Sequence, residues 1–270
     1  MCEGNIVTKT KEPNTVNTIS EDLMKLGTKN SDILLVPSSL SSLGWVCGGA
    51  QAVIIALMNA VGNDGTLVMP AQSGDWSDPA EWEHPAVPKE WIQTIYDNMP
   101  AYEPKITPTR GMGVIAELFR MFPKTIRSNH PQSSFCANGR FSGNIIENHP
   151  LTPQFGIDSP LGKMYNLKAK VLLLGVGYDS CTSFHFAEAL IHEMPTKQMG
   201  TAMFDNGKRV WKWFNDYEYN TDDFELMGKE FEEKHLVKKG KIGNAECRLF
   251  EMKDGVDFAK AWLIKNRFGK

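Results

Sequence analysis

His185 and Glu188 are the two residues of this 270-residue chain whose types and spacing best suit chemistry. Three residues apart on a helix, their side chains share one face, so a carboxylate can touch an imidazole. They close the stretch Lys170 to Glu188, KVLLLGVGYDSCTSFHFAE. Val171 to Leu174 is a continuous apolar run, the pattern of a strand buried on both faces. Gly175 and Gly177 break it where the chain can take positive φ. Asp179, Ser180, Thr182 and Ser183 then offer capping oxygens to the helix that carries the pair. An ordinary His with an i,i+3 partner on a solvated face would show the same spacing. The strand, glycine, cap and helix in sequence favour the functional reading, because open α/β sheets place their chemistry just past the ends of buried strands.

The elements around this stretch alternate. Residues 17–27 predict a helix capped by Thr18 or Ser20, with Glu21 and Asp22 in its first turn and Gly27 at its end. Ser31–Val36 predicts a buried strand, residues 50–61 an apolar helix, and residues 65–70 a second buried strand. From Ala71 to about Thr109 the chain is rich in Pro, Trp and Asp, with one helical piece at Trp91–Asn98. Such an excursion in a compact protein predicts a functional loop or lid. Further expectations are a helix at 113–122, a hairpin over 200–219 turning at Asp205-Asn206-Gly207, a helix at 221–234, a strand at 247–252 and a closing helix at 254–266. The pattern predicts a single α/β domain over residues 1–270. Its three α/β/α layers would enclose a mixed, largely buried sheet, with the long loop excursion on the substrate side.

Composition excludes some classes. A net charge of −3 argues against a nucleic-acid partner, and no apolar run approaches the roughly 18 residues that span a bilayer. The polar N-terminal stretch lacks the apolar core of a signal peptide. Five scattered cysteines (Cys2, Cys47, Cys136, Cys181, Cys247) form no CxxC pair, which predicts reduced thiols in a cytoplasmic protein and no metal site. Cys181, beside the candidate pair, reads as a small packing residue at a helix start.

Three loops have the parts of an anion site. Ser38, Ser39, Leu40 and Ser41, followed by Gly48-Gly49 opening a helix, combine hydroxyls, close-approach glycines and free helix N–H groups. The loop lacks the GK[ST] ending of a phosphoryl-transfer P-loop, and as a bare strand-to-helix turn it needs no ligand. Thr107, Thr109 and Arg110 form a second such loop, and Arg127, Ser128 and His130 a third. Their arginines could pair with phosphates, or form surface salt bridges, and His130 could simply tie its loop. Acidic, aromatic segments around Asp75, Asp78 and Asp216 suit a cationic amine, whereas Asp222 and Asp223 read as N-terminal carboxylates of the following helix.

Taken together, VPSSLSSLGWVCGGAQAV, GTLVMPAQSGDWSDP, ITPTRGMGVIAELFR, RSNHPQSSF, DSPLGKMY, LLLGVGYDSCTSFHFAE, KRVWKWFNDY and KIGNAECRL resemble the aminoglycoside N3-acetyltransferase family, whose fold is unrelated to that of the GNAT acetyltransferases. The resemblance covers nearly the whole chain. It implies an antibiotic-resistance type of activity, transfer of acetyl from acetyl-CoA to the 3-amine of a 2-deoxystreptamine ring. It further implies that the Ser38–Ser41 turn and the helix start at Gly48-Gly49 receive CoA, with Thr107, Thr109, Arg110, Arg127, Ser128 and His130 on the CoA side. His185 would be the general base, oriented by Glu188 or Asp179, with Thr182 or a nearby backbone N–H at the oxyanion. Asp75, Asp78 and Asp216 would bind an aminoglycoside or related aminosugar. The expected partners are small molecules alone, and the expected assembly a monomer or homodimer.

Two other functions compete: a CoA-binding scaffold or sensor, and a hydrolase using Cys181 or a serine with His185. The hydrolase is disfavoured, since no GxSxG elbow is present. The scaffold reading rests on one departure. Members of the family usually read VHSSLSS where this chain has Val36-Pro37-Ser38-Ser39. Proline supplies neither the ring nor a backbone N–H. Natural divergence, a changed substrate or CoA pose, and a weakened enzyme all fit that change. The expected outcome is that Pro37 leaves the fold intact but lowers CoA affinity or turnover. Calorimetry and steady-state kinetics on Pro37→His check it, and a variant unchanged in both would defeat it.

Overall fold

The computed structural model describes residues 3–234 and 237–269; Cys2 lies outside the described residues. Helices α1 (Glu3–Lys9) and α2 (Val16–Leu26) lead to β1 (Ile33–Leu35), and α3 (Gly49–Val61) to β2 (Thr66–Pro70). The excursion carries α4 (Ile92–Asn98). Then come α5 (Gly113–Phe119), the strands β3 (Ile126–Arg127) and β4 (Phe135–Gly139), and α6 (Ser142–Ile146) and α7 (Pro160–Asn166). β5 (Lys170–Leu174) feeds α8 (Phe184–Ala189). A ribbon of β6 (Thr196–Asp205) and β7 (Lys208–Tyr217) follows, then α9 (Phe224–Lys234), β8 (Lys238–Ile242), β9 (Ala245–Glu251) and α10 (Met252–Phe268).

Seven strands form one mixed sheet in the order β3-β4-β2-β1-β5-β9-β8. β1 runs parallel to both β2 and β5, and the outer pairs are antiparallel. Side chains alternate across the sheet. Leu35, Val68, Val171 and Leu173 face the core beneath α6 to α10, while Leu34, Leu67, Leu172 and Leu174 face the one beneath α2, α3 and α5. This is the expected three-layer arrangement. Each fully buried aliphatic side chain contributes about 1.5–3 kcal/mol of transfer free energy, so the two faces of β1 and β5 anchor the fold.

Most element boundaries agree with the sequence reading to within a few residues, and the differences have local causes. α2 is capped by Thr15, not by Thr18 or Ser20 as expected. Thr15 Oγ1 accepts from Thr18 N while Thr18 Oγ1 accepts from Thr15 N, so Thr18 closes a reciprocal capping box from inside the helix. Gly175 takes φ +69°, but Gly177 is extended at φ −85° and serves as cap to the turn that follows. The excursion is fastened to the β6–β7 ribbon. The Tyr96 ring lies 4.6 Å from Trp211 and 5.4 Å from Trp213, and Tyr102 N donates to Ala202 O at 3.0 Å.

The turn from β5 into α8 is held from below by Tyr178, which is fully buried, with its ring stacked on Phe184 at 5.9 Å. Gly228 of α9 lies against that ring: a Cβ there would come within 2.0 Å of Tyr178 Cγ. Gly→Ala in an exposed helix interior stabilises by about 1 kcal/mol. Here the sign reverses, and Gly228→Ala is expected to destabilise by about 2–3 kcal/mol through overpacking. Urea unfolding reads the difference; an unchanged or raised midpoint would refute the packing argument.

Candidate active site

Three cavities meet at the carboxyl ends of the parallel strands β1, β2 and β5. A cleft of about 970 Å³ lies between the excursion and the segment after β7, with Gln72, Gln132, Phe155, Glu218 and Asp222 in its wall. A second, of about 630 Å³, runs along the turn after β1 and the N-termini of α3 and α5. Between them is a waist of about 240 Å³, lined by Pro37 and Ser38 after β1, Pro70 at the end of β2 and Gln72 beyond it, and Asp179, Thr182 and His185 after β5. His185 borders both the large cleft and the waist, while Ser38 borders both the waist and the second cavity. A ligand lying in each outer cavity would therefore meet its counterpart in front of His185.

The imidazole is held tightly. His185 Nδ1 and Glu188 Oε2 are 2.6 Å apart, and Glu188 is completely buried. Because a carboxylate accepts, Nδ1 carries the proton and the Nε2 lone pair is left for the cavity. The second Glu188 oxygen, Oε1, accepts from Asn220 N at 3.1 Å and Arg267 Nη1 at 2.5 Å. Phe155 stacks on the ring at 5.0 Å, with Phe224 and Tyr219 packed at 5.0 and 5.6 Å. Ring orientation, tautomer and the direction of Nε2 are thus all fixed. Of the two carboxylates the sequence offered, Glu188 makes the bond. Asp179 stands exposed in the waist, where its Oδ1 accepts from Ser180 Oγ at 3.4 Å. Cys181 is fully buried, borders none of the three cavities, and has its thiol pushed up to about 12 by burial. That is the behaviour of a packing residue.

The other expected residues divide. Ser38, Ser39, Leu40, Ser41 and Gly49 do line the second cavity. Gly48 precedes α3 at φ +88°, a left-handed start that a side chain would strain. Ser42 Oγ donates to Ser39 Oγ at 3.0 Å, whereas Ser38 Oγ has no hydrogen-bond partner among the described residues. Arg110 borders the large cleft, not the second cavity, and lies 3.6 Å from Asp75. Thr107, Thr109, Arg127, Ser128 and His130 border none of the three cavities, because their polar atoms are spent inside the protein. Thr107 Oγ1 accepts from Glu103 N, Thr109 donates to Glu117, and the Arg127 guanidinium donates to Ala71 O, Thr107 O and two serines. Nor do Asp75, Asp78 or Asp216 line the cleft. Asp78 caps a turn and accepts from Tyr96 OH at 2.7 Å; Asp216 is buried and accepts from Gln154 N and Tyr217 N. Carboxylates that do line it are Glu218 and Asp222, and neither forms an ion pair among the described residues. Residue order gave no sign of Arg267, 79 positions from Glu188.

Known proteins resemble this chain along nearly its whole length. The sequence model of the aminoglycoside 3-N-acetyltransferase family matches residues 35–264. The SPbeta prophage-derived aminoglycoside N(3')-acetyltransferase-like protein YokD of Bacillus subtilis is 49% identical over 97% of this chain and 96% of its own. Its crystal structure superposes with a TM-score of 0.97, covering 99% of both chains at 47% identity. AAC-IIIb in binary complex with CoASH has a TM-score of 0.83 at 28% identity, covering 94% of this chain and 97% of the other. AAC-VIa bound to sisomicin has a TM-score of 0.85 at 28% identity, covering 93% and 98%.

Beneath the large cleft lie two further histidines. His130 Nδ1 accepts from Ser133 N at 2.9 Å and Gln132 N at 3.2 Å, so its Nε2 donates to Leu151 O. His149 Nε2 donates to Gln154 O at 2.7 Å, and its Nδ1 accepts from Ser128 Oγ. These bonds fix the two loops that present Gln132, Gln154 and Phe155 to the cleft. Both rings must be neutral to make them. Burial pushes the His130 imidazole down to about 4, and burial, then the neighbouring His130, drives His149 well below its usual range. Unfolded histidine protonates near pH 6.5, so acid favours the unfolded chain. Stability from this pair is complete above about pH 6.5 and falls as pH drops toward 4, by up to about 1.4 kcal/mol per pH unit for each ring. Urea unfolding between pH 7.5 and 5 should show a falling midpoint. A flat midpoint over that window would contradict the neutral assignment.

Proposed function

The chain belongs to the aminoglycoside 3-N-acetyltransferase family, and on that premise we propose that it transfers acetyl from acetyl-CoA to the 3-amine of a 2-deoxystreptamine aminoglycoside or a related aminosugar. The observation that carries the reading is the position of His185, its free Nε2 at the junction of two ligand-sized cavities. CoA would lie along the Ser38–Ser41 turn, its phosphates near the serine hydroxyls and the N-terminal end of α3. The acetyl thioester would reach the waist, and the aminoglycoside would fill the larger cleft, with ammonium groups toward Glu218 and Asp222.

His185 Nε2 takes a proton from the substrate amine as that nitrogen attacks the thioester carbonyl. Glu188 stabilises the imidazolium that forms, as the carboxylate does in other base–carboxylate pairs. Two hydroxyls at the waist suit the oxyanion. Among the described residues Thr182 Oγ1 makes only a 3.5 Å bond to Ser180 O, and Ser38 Oγ has no partner. The intermediate then expels CoA as a thiolate, and the imidazolium returns the proton to that sulfur. The product is the amide, and the neutral base is restored.

A second reading, a CoA-binding member of the family with weak or lost aminoglycoside activity, draws on Pro37. It is buried in the waist and uses only its carbonyl in the β1–β5 pairing, accepting from Leu174 N at 3.0 Å. Proline is therefore compatible with the strand pairing, while altering the wall next to the thioester. Thiol release from acetyl-CoA with a panel of aminoglycosides separates the readings. Amine-dependent release is expected, reduced a hundredfold or more in His185→Ala and retained in Cys181→Ala. CoA binding without turnover would favour the second reading, and full activity in His185→Ala would overturn the assignment of the base.

A further inference from the structure

Arg267 stands near the end of α10, 79 positions after Glu188, yet its guanidinium reaches the buried end of the His185–Glu188 pair. Nη1 donates to Glu188 Oε1 at 2.5 Å. Nε and Nη2 bind Asp223 through both carboxylate oxygens, at 2.7 and 2.5 Å, and Nη2 also donates to Asn220 O at 2.9 Å. Asn220 N in turn donates to Glu188 Oε1. One planar fork thus closes a ring around the Glu188 oxygen that His185 does not use. The turn it holds, Asn220 to Asp222, lines the large cleft, and Thr221 borders the waist as well.

We propose that Arg267 is the positioning residue of the acyl-transfer site, locking Glu188 and the 220–223 turn so that His185 keeps the geometry and charge of a base. The proposal rests on the acyl-transfer reading above. Its physical basis is that Glu188 has no access to water, so its charge needs a counter-ion within the protein. Among the described residues Arg267 is the permanent cation that supplies one. The titratable groups in contact with His185 are Glu188 on its own helix and Tyr219 after β7; Glu218, Asp222, Arg110 and Lys197 share the large cleft with it, Asp179 shares the waist, and Arg267 lies behind Glu188. Arg110 and Lys197 are matched by Asp75 and Glu81, and Arg267 is the cation bonded to Glu188, so removing it makes the imidazole–carboxylate pair take up a proton more readily and blocks Nε2 as a base. A lysine would keep the charge but not the fork.

Wild type, R267K and R267M are compared by kcat, KM and pH–rate profile, with the His185 ring titrated by NMR and folding checked by circular dichroism. R267M is expected to lose about tenfold or more in kcat. Its acid limb and the His185 titration should both move up by about one pH unit or more. R267K should return the acid limb close to wild type with only part of the kcat. An R267M variant with an unmoved acid limb and an unmoved His185 titration overturns the proposal, as does a loss confined to KM. Should R267M fail to fold, R267K decides: wild-type kcat overturns the role of the fork, and a loss of about threefold or more supports it. If the wild type acetylates no amine, the functional reading fails, and the His185 titration in R267M still decides this one.

Discussion

A buried carboxylate is costly unless both its oxygens find donors, and that constraint on Glu188 organises the centre of this protein. Its donors come from three places in the chain. They are the imidazole one helical turn earlier, the backbone of Asn220 after the ribbon, and the guanidinium of the last helix. The charge can be buried only where those three segments converge. Conversely, once they have converged the imidazole has a single orientation. Phe155, Phe224 and Tyr219 complete the enclosure, excluding water from the Nδ1 side and leaving Nε2 toward the cavities.

The convergence point is set by the sheet. β1, β2 and β5 run parallel, so their carboxyl ends lie along one edge, and each connection that leaves that edge contributes one wall of the waist. Gly175 is where the chain must turn tightly enough to stay at that edge. It adopts φ +69°, and a Cβ there would meet Ser42 at 2.7 Å. The same close approach brings the serine turn after β1 beside the turn after β5, which puts Ser38 and His185 on opposite walls of one waist.

Much of this was legible in the sequence because the governing features are local. The apolar run at 171–174, the glycine break and the i,i+3 pair in α8 are all contained in nineteen consecutive residues. The serine turn likewise lies within one short segment and does line its cavity. What escaped were roles fixed by distant contacts. Arg127 and His130 have the residue types of an anion site, but loop closure turned their donors and acceptors onto backbone groups of Thr107, Ala71, Ser133 and Leu151. β8, whose sequence KKGKI is mostly polar, is a strand because it pairs along the edge of β9, and no period-two apolar pattern announces it. Asp216 has the residue type of a substrate carboxylate, but it is buried and its oxygens accept backbone N–H groups.

The large cleft is acidic through selective pairing more than through composition. Arg110 and Lys197 stand in its wall, but Arg110 lies beside Asp75, and Lys197 pairs with Glu81 at 2.8 Å. Arg267 is shared between Glu188 and Asp223. Among the described residues every cation lining the cleft is therefore matched by a carboxylate, while Glu218 and Asp222 form no ion pair at its surface. Because they are exposed, these two keep their hydration and need no counter-ion in the empty protein. They can then exchange water for ammonium groups at modest desolvation cost. That arrangement suits a polycation presented beside a base: the exposed carboxylates would hold its charges away from His185, and the matched cations would add no net repulsion. On the proposed function, attraction and catalysis would fall to different carboxylates, the exposed ones binding the substrate and the buried one orienting the base.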